Sequence, residues 1–257
     1  FGSEEQKKKY LPKLCAGEGI WGFGLTEPTA GSDAGGSKTT AVRDGDDWVI
    51  NGSKIFITNA ASEMTLGVTV QAVTGKRPDG KPEYTCFIVE AGTKGFKAIP
   101  MHKKMMWRAS NTAELYFDNV RVPKENMLGK RGDGFHQMLK TLDGGRLSIG
   151  AMGLGGAQGC FDMAIRYSKE REQFGKPIAQ HQAIRHKLVT ARTKLQAARH
   201  MLYHGAHLAN TGQPCSIETS MAKLFVADTA VEIATTCQQV MGAYALSDAY
   251  DMERHVR

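Results

Sequence analysis

The residues best suited to chemistry lie in Phe23-Gly24-Leu25-Thr26-Glu27-Pro28-Thr29-Ala30-Gly31-Ser32-Asp33. This is a strand running into a turn rich in glycine, proline and hydroxyls. Its backbone amides, Thr26 and Ser32 can donate hydrogen bonds to a polar ligand in an otherwise apolar site. The same composition also suits an ordinary Pro-Gly turn. Other candidates are weaker. His200, His204 and His207 share a helix face, but no HExxH glutamate accompanies them and no local Cys or Asp completes a ligand set. The run Gly150 to Gly159 fits neither phosphate-loop template and follows no strand, so it reads as small residues permitting close helix packing. No GxSxG elbow anchors a nucleophilic triad. Met105, Met106, Met138, Met152 and Met221 read as gap fillers at core positions.

Two kinds of element must position these residues. Residues 3–16 predict a short helix, with a capping box from Ser3 to Gln6 and a break or kink at Pro12. From Ile20 to Val122 short strands alternate with turns. Asp44-Gly45 and Asn51-Gly52 read as hairpin turns, with further strands at 65–73, 84–90, 95–99 and 114–122. Strands without intervening helices predict an antiparallel sheet or barrel and exclude a Rossmann domain. After Pro123 and the Gly129/Gly132/Gly134 linker the pattern turns helical. Ile184, Leu188, Ala191, Leu195, Ala198 and Leu202 step alternately by four and three, a bundle seam that Thr211-Gly212 ends. The next helix places Met221, Leu224, Ala227/Asp228, Val231, Ala234, Cys237 and Met241 on one side. The expected fold is α+β and multidomain: an antiparallel, barrel-like β domain followed by an antiparallel (four-)helix bundle.

The 257 residues, 41% hydrophobic and 23% charged, exclude disorder of the whole chain. No apolar run approaches the ~20 residues of a membrane span. The net charge of +7 is spread among 33 basic and 26 acidic residues, without a run that points to nucleic acid. Five scattered cysteines without a CxxC pair suit a reducing compartment. Phe1 at one end and an uncapped Asp251–Arg257 at the other read as the middle of something longer.

Phe23 to Asp33 resembles the TEPxAGSD signature of the acyl-CoA dehydrogenases, flavoenzymes that form trans-2-enoyl-CoA from acyl-CoA. Asn51-Gly52-Ser53-Lys54-Ile55-Phe56-Ile57-Thr58-Asn59 is similar to the family's NGxKxWITN strand. Lys104–Thr112 and Val120-Arg121-Val122-Pro123 resemble the end of its β domain. Arg171–Ile178, His181–Ile184 and Glu253–Arg257 resemble its helical domain. The resemblance implies a tail of an N-terminal helical domain at 1–17, a β domain at 18–128 and a bundle at 129–257.

It also implies roles. Phe23, Leu25, Thr26 and Ser32 would line the flavin and thioester, with Thr26 on the pyrimidine side and Ser32 reaching the CoA pyrophosphate. Phe56, Ile57 and Thr58 would contact the ring, Phe56 replacing the usual tryptophan and Thr58 bonding N5. Asp143 and Arg146 would touch acyl-CoA. Arg171, Gln173, Phe174, His181, Gln182, Gln239, Gly242 and Ala243 would hold the adenine half of FAD, partly across a subunit boundary in a homodimer or homotetramer. Ala243 and Ala245 replace glycines of this site, where a methyl could weaken FAD binding or shift the loop, and Asp251 replaces a proline.

The catalytic base, a glutamate, is expected beyond Arg257, since the alternative position holds Gly145. The segment alone is therefore expected not to dehydrogenate acyl-CoA. No metal is implied. The acceptor would be electron-transfer flavoprotein, the setting fatty acid or amino acid catabolism in the cytoplasm or mitochondrial matrix. An acyl-CoA oxidase and a non-catalytic FAD- or CoA-binding relative are the alternatives.

Overall fold

The computed structural model describes residues 1–256, so Arg257 of the C-terminal motif lies outside the described residues. The chain forms two compact units, Phe1–Lys140 and Thr141–Arg257.

The first unit opens with α1 (Glu4–Cys15). Ser3 and Gln6 form the reciprocal capping box, and the helix runs past Pro12 to Cys15. The strands are β1 (Ile20–Gly24), β2 (Thr40–Asp44), β3 (Asp47–Thr58), β4 (Thr65–Lys76), β5 (Pro82–Glu90), β6 (Phe96–Pro100), β7 (Thr112–Pro123) and β8 (Met127–Leu128). They form one eight-stranded sheet in the order β6-β7-β3-β2-β4-β5-β8, with β1 added on β4. The sheet is mixed: most pairs are antiparallel, but β1 and β2 both meet β4 in parallel. Its core gathers Trp48, Ile50, Val68, Val70, Phe87, Val89, Leu115 and Phe117. Those residues alternate along β3, β4, β5 and β7, as a strand with one buried face requires.

Asp44-Gly45 is the expected turn, with Asp44 paired to Asp47 and Gly45 at φ +64°. Asn51-Gly52 is not a turn. It lies inside β3, where the register with β7 shifts. Asn119 supplies the extra residue opposite, at φ +50°, and its N–H donates to Asn51 Oδ1 at 2.8 Å. Gly52, at φ +142°, runs so close to Thr39 that a Cβ there would lie 2.7 Å from the Thr39 Cα. Turn chemistry here makes a bulge, because the dipeptide lies inside a twelve-residue strand that pairs with β7 on both sides of it.

In the second unit, α2 (Gly134–Glu170, beginning in the first unit), α3 (Gln182–Asn210), α4 (Ser216–Met241) and the short α5 (Met252–Val256) enclose a core that includes Leu154, Cys160, Leu195, Leu202, Ile233 and Met252. The heptad seam of α3 faces inward as the spacing requires. The glycine run lies within α2 and packs. A Cβ on Gly150 would meet Leu202 at 2.9 Å, and one on Gly153 would meet Val226 at 3.6 Å.

The α4 reading needs correction. Ala234, Cys237 and Met241 are buried as expected, on a face with Thr219, Ala222, Val226, Ile233 and Val240, while Met221, Leu224 and Val231 are exposed. Helix α4 carries apolar residues on two faces, and the expected stripe runs along the exposed one up to Val231 and along the buried one from Ala234. The methionine reading is corrected too. Met138 is buried, whereas Met105, Met106, Met152 and Met221 are exposed. Thioether flexibility suits surfaces as well as cores.

Candidate flavin and thioester sites

In the first unit, the loop between β1 and β2 is fastened at both ends by one buried ion pair. Lys54 of β3 and Glu27 of the loop meet at 2.8 Å with both side chains out of solvent. Lys54 Nζ also donates to the Leu25 carbonyl at 3.1 Å. Glu27 accepts the amide N–H groups of Lys38 at 2.7 Å and Thr39 at 3.0 Å. Burial raises the Glu27 carboxyl, but the Lys54 ammonium and the two amides outweigh it and hold the group below the ordinary 4.5. Burial draws the Lys54 ammonium down, and Glu27 opposes it. Burial pushes the neighbouring Cys86 thiol up to about 12, so it stays neutral beside the pair.

Two further donors hold the loop's middle. Gln71 Nε2 reaches the Ala34 carbonyl at 3.3 Å, and the Tyr84 hydroxyl donates to the Gly35 carbonyl. Burial, then the negative charges of Asp33 and Glu27, raises Tyr84, so it remains a donor.

On this frame Thr26 is half-buried and its carbonyl accepts Ile55 N–H at 2.9 Å. Ser32 is exposed. Phe23 packs beside a small cluster of Leu25, Cys86 and Met138. Among the described residues, the hydroxyls of Thr26, Ser32 and Thr58 make no hydrogen bond within the chain.

Strand β3 presents its part through a second bulge. Between Lys54 and Ile57 the register with β7 shifts by one extra residue, and Phe56 takes φ +61°. Lys54 and Ile57 therefore both point inward although three apart, while Phe56 is 61% exposed and Thr58 is exposed. A bulky residue at positive φ is a costly conformation that the surroundings must impose, and such strain concentrates at functional sites. The Leu25 and Ile57 side chains lie in the core, so only their backbone atoms can face a ligand.

The second unit contains a cavity of about 510 Å³ lined by Arg171, Gln173, Phe174, His181, Gln239, Gly242 and Ala243, together with Tyr167, Ile178 and Tyr244. Seven of the eight residues expected to hold the adenine half line this one cavity; Gln182, the first residue of α3, does not. The hairpin of β9 (Glu172–Gln173) and β10 (Lys176–Pro177) turns through Phe174 and Gly175, both at positive φ. That turn leaves Phe174 94% exposed, edge-on to His181 with ring centroids 5.8 Å apart. His181 is held by the Gln173 carbonyl at 3.1 Å from Nε2. Ala245 turns fully into the helical core and does not line the cavity, whereas Ala243 does.

Asp143 and Arg146 form an ion pair one turn apart on α2, with Ser216 3.4 Å from each. His200, His204 and His207 are all exposed, and the described residues contain no metal-ligating group of three.

Sequence reasoning did not assign Glu27, Lys54, Gln71 or Tyr84 a role, and it missed Tyr167 and Tyr244 in the cavity wall. A lysine at an inward phase of a strand, with a glutamate in the adjoining loop, was the available signal.

Residues 22–120 match the acyl-CoA dehydrogenase middle domain, and residues 132–257 match the acyl-CoA dehydrogenase C-terminal domain. An acyl-CoA dehydrogenase of Bacillus subtilis is 45% identical over 259 residues, covering 100% of this chain and 67% of the relative. A short-chain specific acyl-CoA dehydrogenase of Clostridium acetobutylicum is 43% identical, with 100% and 67% covered. Among solved structures, butyryl-CoA dehydrogenase from Megasphaera elsdenii superposes with a TM-score of 0.94 at 41% identity, covering 100% of this chain and 66% of that one. A structure described as an electron transferring flavoprotein of Acidaminococcus fermentans gives 0.94 at 44% identity, with 100% and 67% covered. A glutaryl-CoA dehydrogenase from Mycobacterium smegmatis in complex with FADH2 gives 0.92 at 34%, with 100% and 64% covered. With two domains matched in order and 45% identity to a relative along the whole of this chain, the chain belongs to the acyl-CoA dehydrogenase family.

Proposed function

We propose that this chain carries the flavin and thioester sites of a short-chain acyl-CoA dehydrogenase that converts acyl-CoA to trans-2-enoyl-CoA. The observation that carries the reading is the single cavity gathering Arg171, Gln173, Phe174, His181, Gln239, Gly242 and Ala243, seven residues drawn from three separate stretches of sequence. Its donor set fits FAD: a guanidinium for phosphate charge, aromatic faces for an adenine ring, and a glycine where backbone can approach closely. In the β domain, proposed to span 18–128, the free hydroxyls of Thr26 and Thr58 beside exposed Phe56 fit the polar edge and face of an isoalloxazine.

FAD, when bound, supplies the hydride acceptor. The chain's own residues bind and orient. Thr26 donates to the pyrimidine side and Thr58 toward N5. Ser32 meets the CoA pyrophosphate, and Asp143 and Arg146 of the helical domain, proposed to span 129–257, contact acyl-CoA. Their mutual ion pair keeps the guanidinium in a defined rotamer. The α proton requires a carboxylate raised by desolvation; Gly145 leaves that role to a glutamate following Arg257.

The exposed Phe174 ring fits a site completed by a neighbouring subunit in a dimer or tetramer. Electron-transfer flavoprotein is the proposed acceptor, supported by the structural likeness to the Acidaminococcus protein. The test is anaerobic reduction by butyryl-CoA of the FAD-loaded protein that includes the proposed base glutamate, followed by reoxidation. Fast reoxidation by electron-transfer flavoprotein and slow reoxidation by O₂ support the reading. The reverse indicates an oxidase, and FAD binding without bleaching indicates a non-catalytic relative.

A further inference from the structure

We infer that the buried Glu27–Lys54 pair is a positioning device that sets the geometry of the Thr26–Ser32 loop for ligand binding; the inference rests on the flavin and thioester reading above.

The pair is expensive as mere packing. Two ions withdrawn from water cost several kcal/mol each, and a buried ion pair is often matched or exceeded in stability by apolar residues of similar volume. Its justification must lie in what it holds. Each charge holds more than one partner. Lys54 spans Glu27 at 2.8 Å and the Leu25 carbonyl at 3.1 Å. Glu27 spans Lys54 and two successive amides, Lys38 at 2.7 Å and Thr39 at 3.0 Å. The entry of the loop (Leu25), its interior (Glu27) and its exit (Lys38, Thr39) are thus drawn onto one residue of β3.

That residue lies between the two register shifts of β3 against β7, and the second, a bulge of β3 itself, exposes Phe56 and Thr58. The Thr39 hydroxyl donates to the Ser53 carbonyl at 3.2 Å, beside Lys54 in the chain. The ligand-facing hydroxyls of Thr26 on the loop and Thr58 on the strand are therefore referenced to the same buried ammonium. Charge-assisted hydrogen bonds of this kind are directional, so they fix a loop more closely than apolar contacts can. Neither Glu27 nor Lys54 reaches a surface where it could touch a ligand: side-chain exposure is 4% and 0%. They act through Thr26 and Thr58 and are positioning residues.

The test compares wild type with Glu27→Gln, Lys54→Met, the double variant Glu27→Gln/Lys54→Met, and the conservative Glu27→Asp. Three readouts are taken on the holoprotein: the thermal transition, the FAD dissociation constant, and amide exchange at residues 25–39 against β4 and β5. Each single charge-removing variant strands the other charge and is expected to lower the transition. The double variant removes both charges and is expected to regain much of that loss.

Positioning predicts that the double variant, though stable, still binds FAD on the order of tenfold more weakly, the equivalent of one charge-assisted hydrogen bond. Lys38 and Thr39 amides should lose protection while β4 and β5 keep theirs. Glu27→Asp keeps the charge but shortens the reach, and it is expected to fold and show the same local loss. Native FAD binding and native loop protection in a stable double variant would overturn the inference. Should wild type itself fail to bind FAD, the flavin reading fails. The exchange data still decide whether the pair orders the loop.

Discussion

Replacing Gly242 by alanine isolates backbone strain in the cavity wall. Gly242 ends α4, with φ +63° and ψ −144°, and its N–H donates to the Gln238 carbonyl. That combination lies in a region open essentially to glycine, where other residues incur about 1–3 kcal/mol. Nothing lies within 4 Å of the position a Cβ would take, so no clash or new packing contributes and the cost is torsional alone. Converted at about 1.4 kcal/mol per decade, this lowers the folding equilibrium constant of the helical unit roughly 5- to 150-fold. A relaxed loop would evade part of that cost by moving Gln239 and Ala243, and FAD would then bind more weakly. Either way the sum of the losses in stability and FAD affinity should reach at least ~1 kcal/mol.

The control is Gly155→Ala on α2, where a Cβ also meets nothing within 4 Å but the backbone is helical. There alanine should stabilise by up to ~1 kcal/mol. Urea unfolding of the helical unit and fluorescence titration with FAD provide both quantities. The reasoning is refuted if Gly242→Ala matches wild type in both, or if the two alanines act with the same sign.

Three more outcomes are expected. Thiol alkylation of the native protein should label exposed Cys15 first and spare Cys86, Cys160 and Cys237, whose burial raises them to about 12, 11 and 12; mass spectrometry of the digested protein reads this directly. Gly134→Ala sets a Cβ 2.7–2.8 Å from the backbone of Thr85 and should destabilise the first unit by roughly 1–3 kcal/mol or more, read by its thermal transition. Glu27 titrates below its unfolded value of 4.5, so its stabilisation is complete above about pH 4.5 and is lost as pH falls through the lower folded value. Glu27→Gln should therefore flatten the acid limb of the stability curve, and an unchanged limb would show that another carboxylate governs it.

The strand-then-helix order and the α3 seam were legible because alternation and heptad spacing report directly on burial. The α4 face was legible only from Ala234 onward, because apolar residues lie on two sides of that helix and only one is buried within the unit. Asn51-Gly52 has the composition of a turn, yet its partner strand β7 pairs on both sides of it. A dipeptide cannot reveal long-range pairing. Arg171, Gln173, His181 and Gln239 could be named from motif resemblance, but their convergence on one cavity depends on how α2, α3 and α4 pack. The Glu27–Lys54 pair was hidden in plain sight within two motifs, since charged residues are by default read as solvated.

The most direct test of the account is anaerobic addition of butyryl-CoA to the FAD-loaded enzyme extended through the proposed base glutamate, with residues 1–257 alone as the control expected to stay oxidised, while the yellow flavin absorbance is followed. The account predicts bleaching that depends on the acyl-CoA and stops when the flavin is fully reduced, with crotonyl-CoA recovered as product. A flavin that binds to the extended enzyme but stays oxidised under saturating acyl-CoA would contradict it.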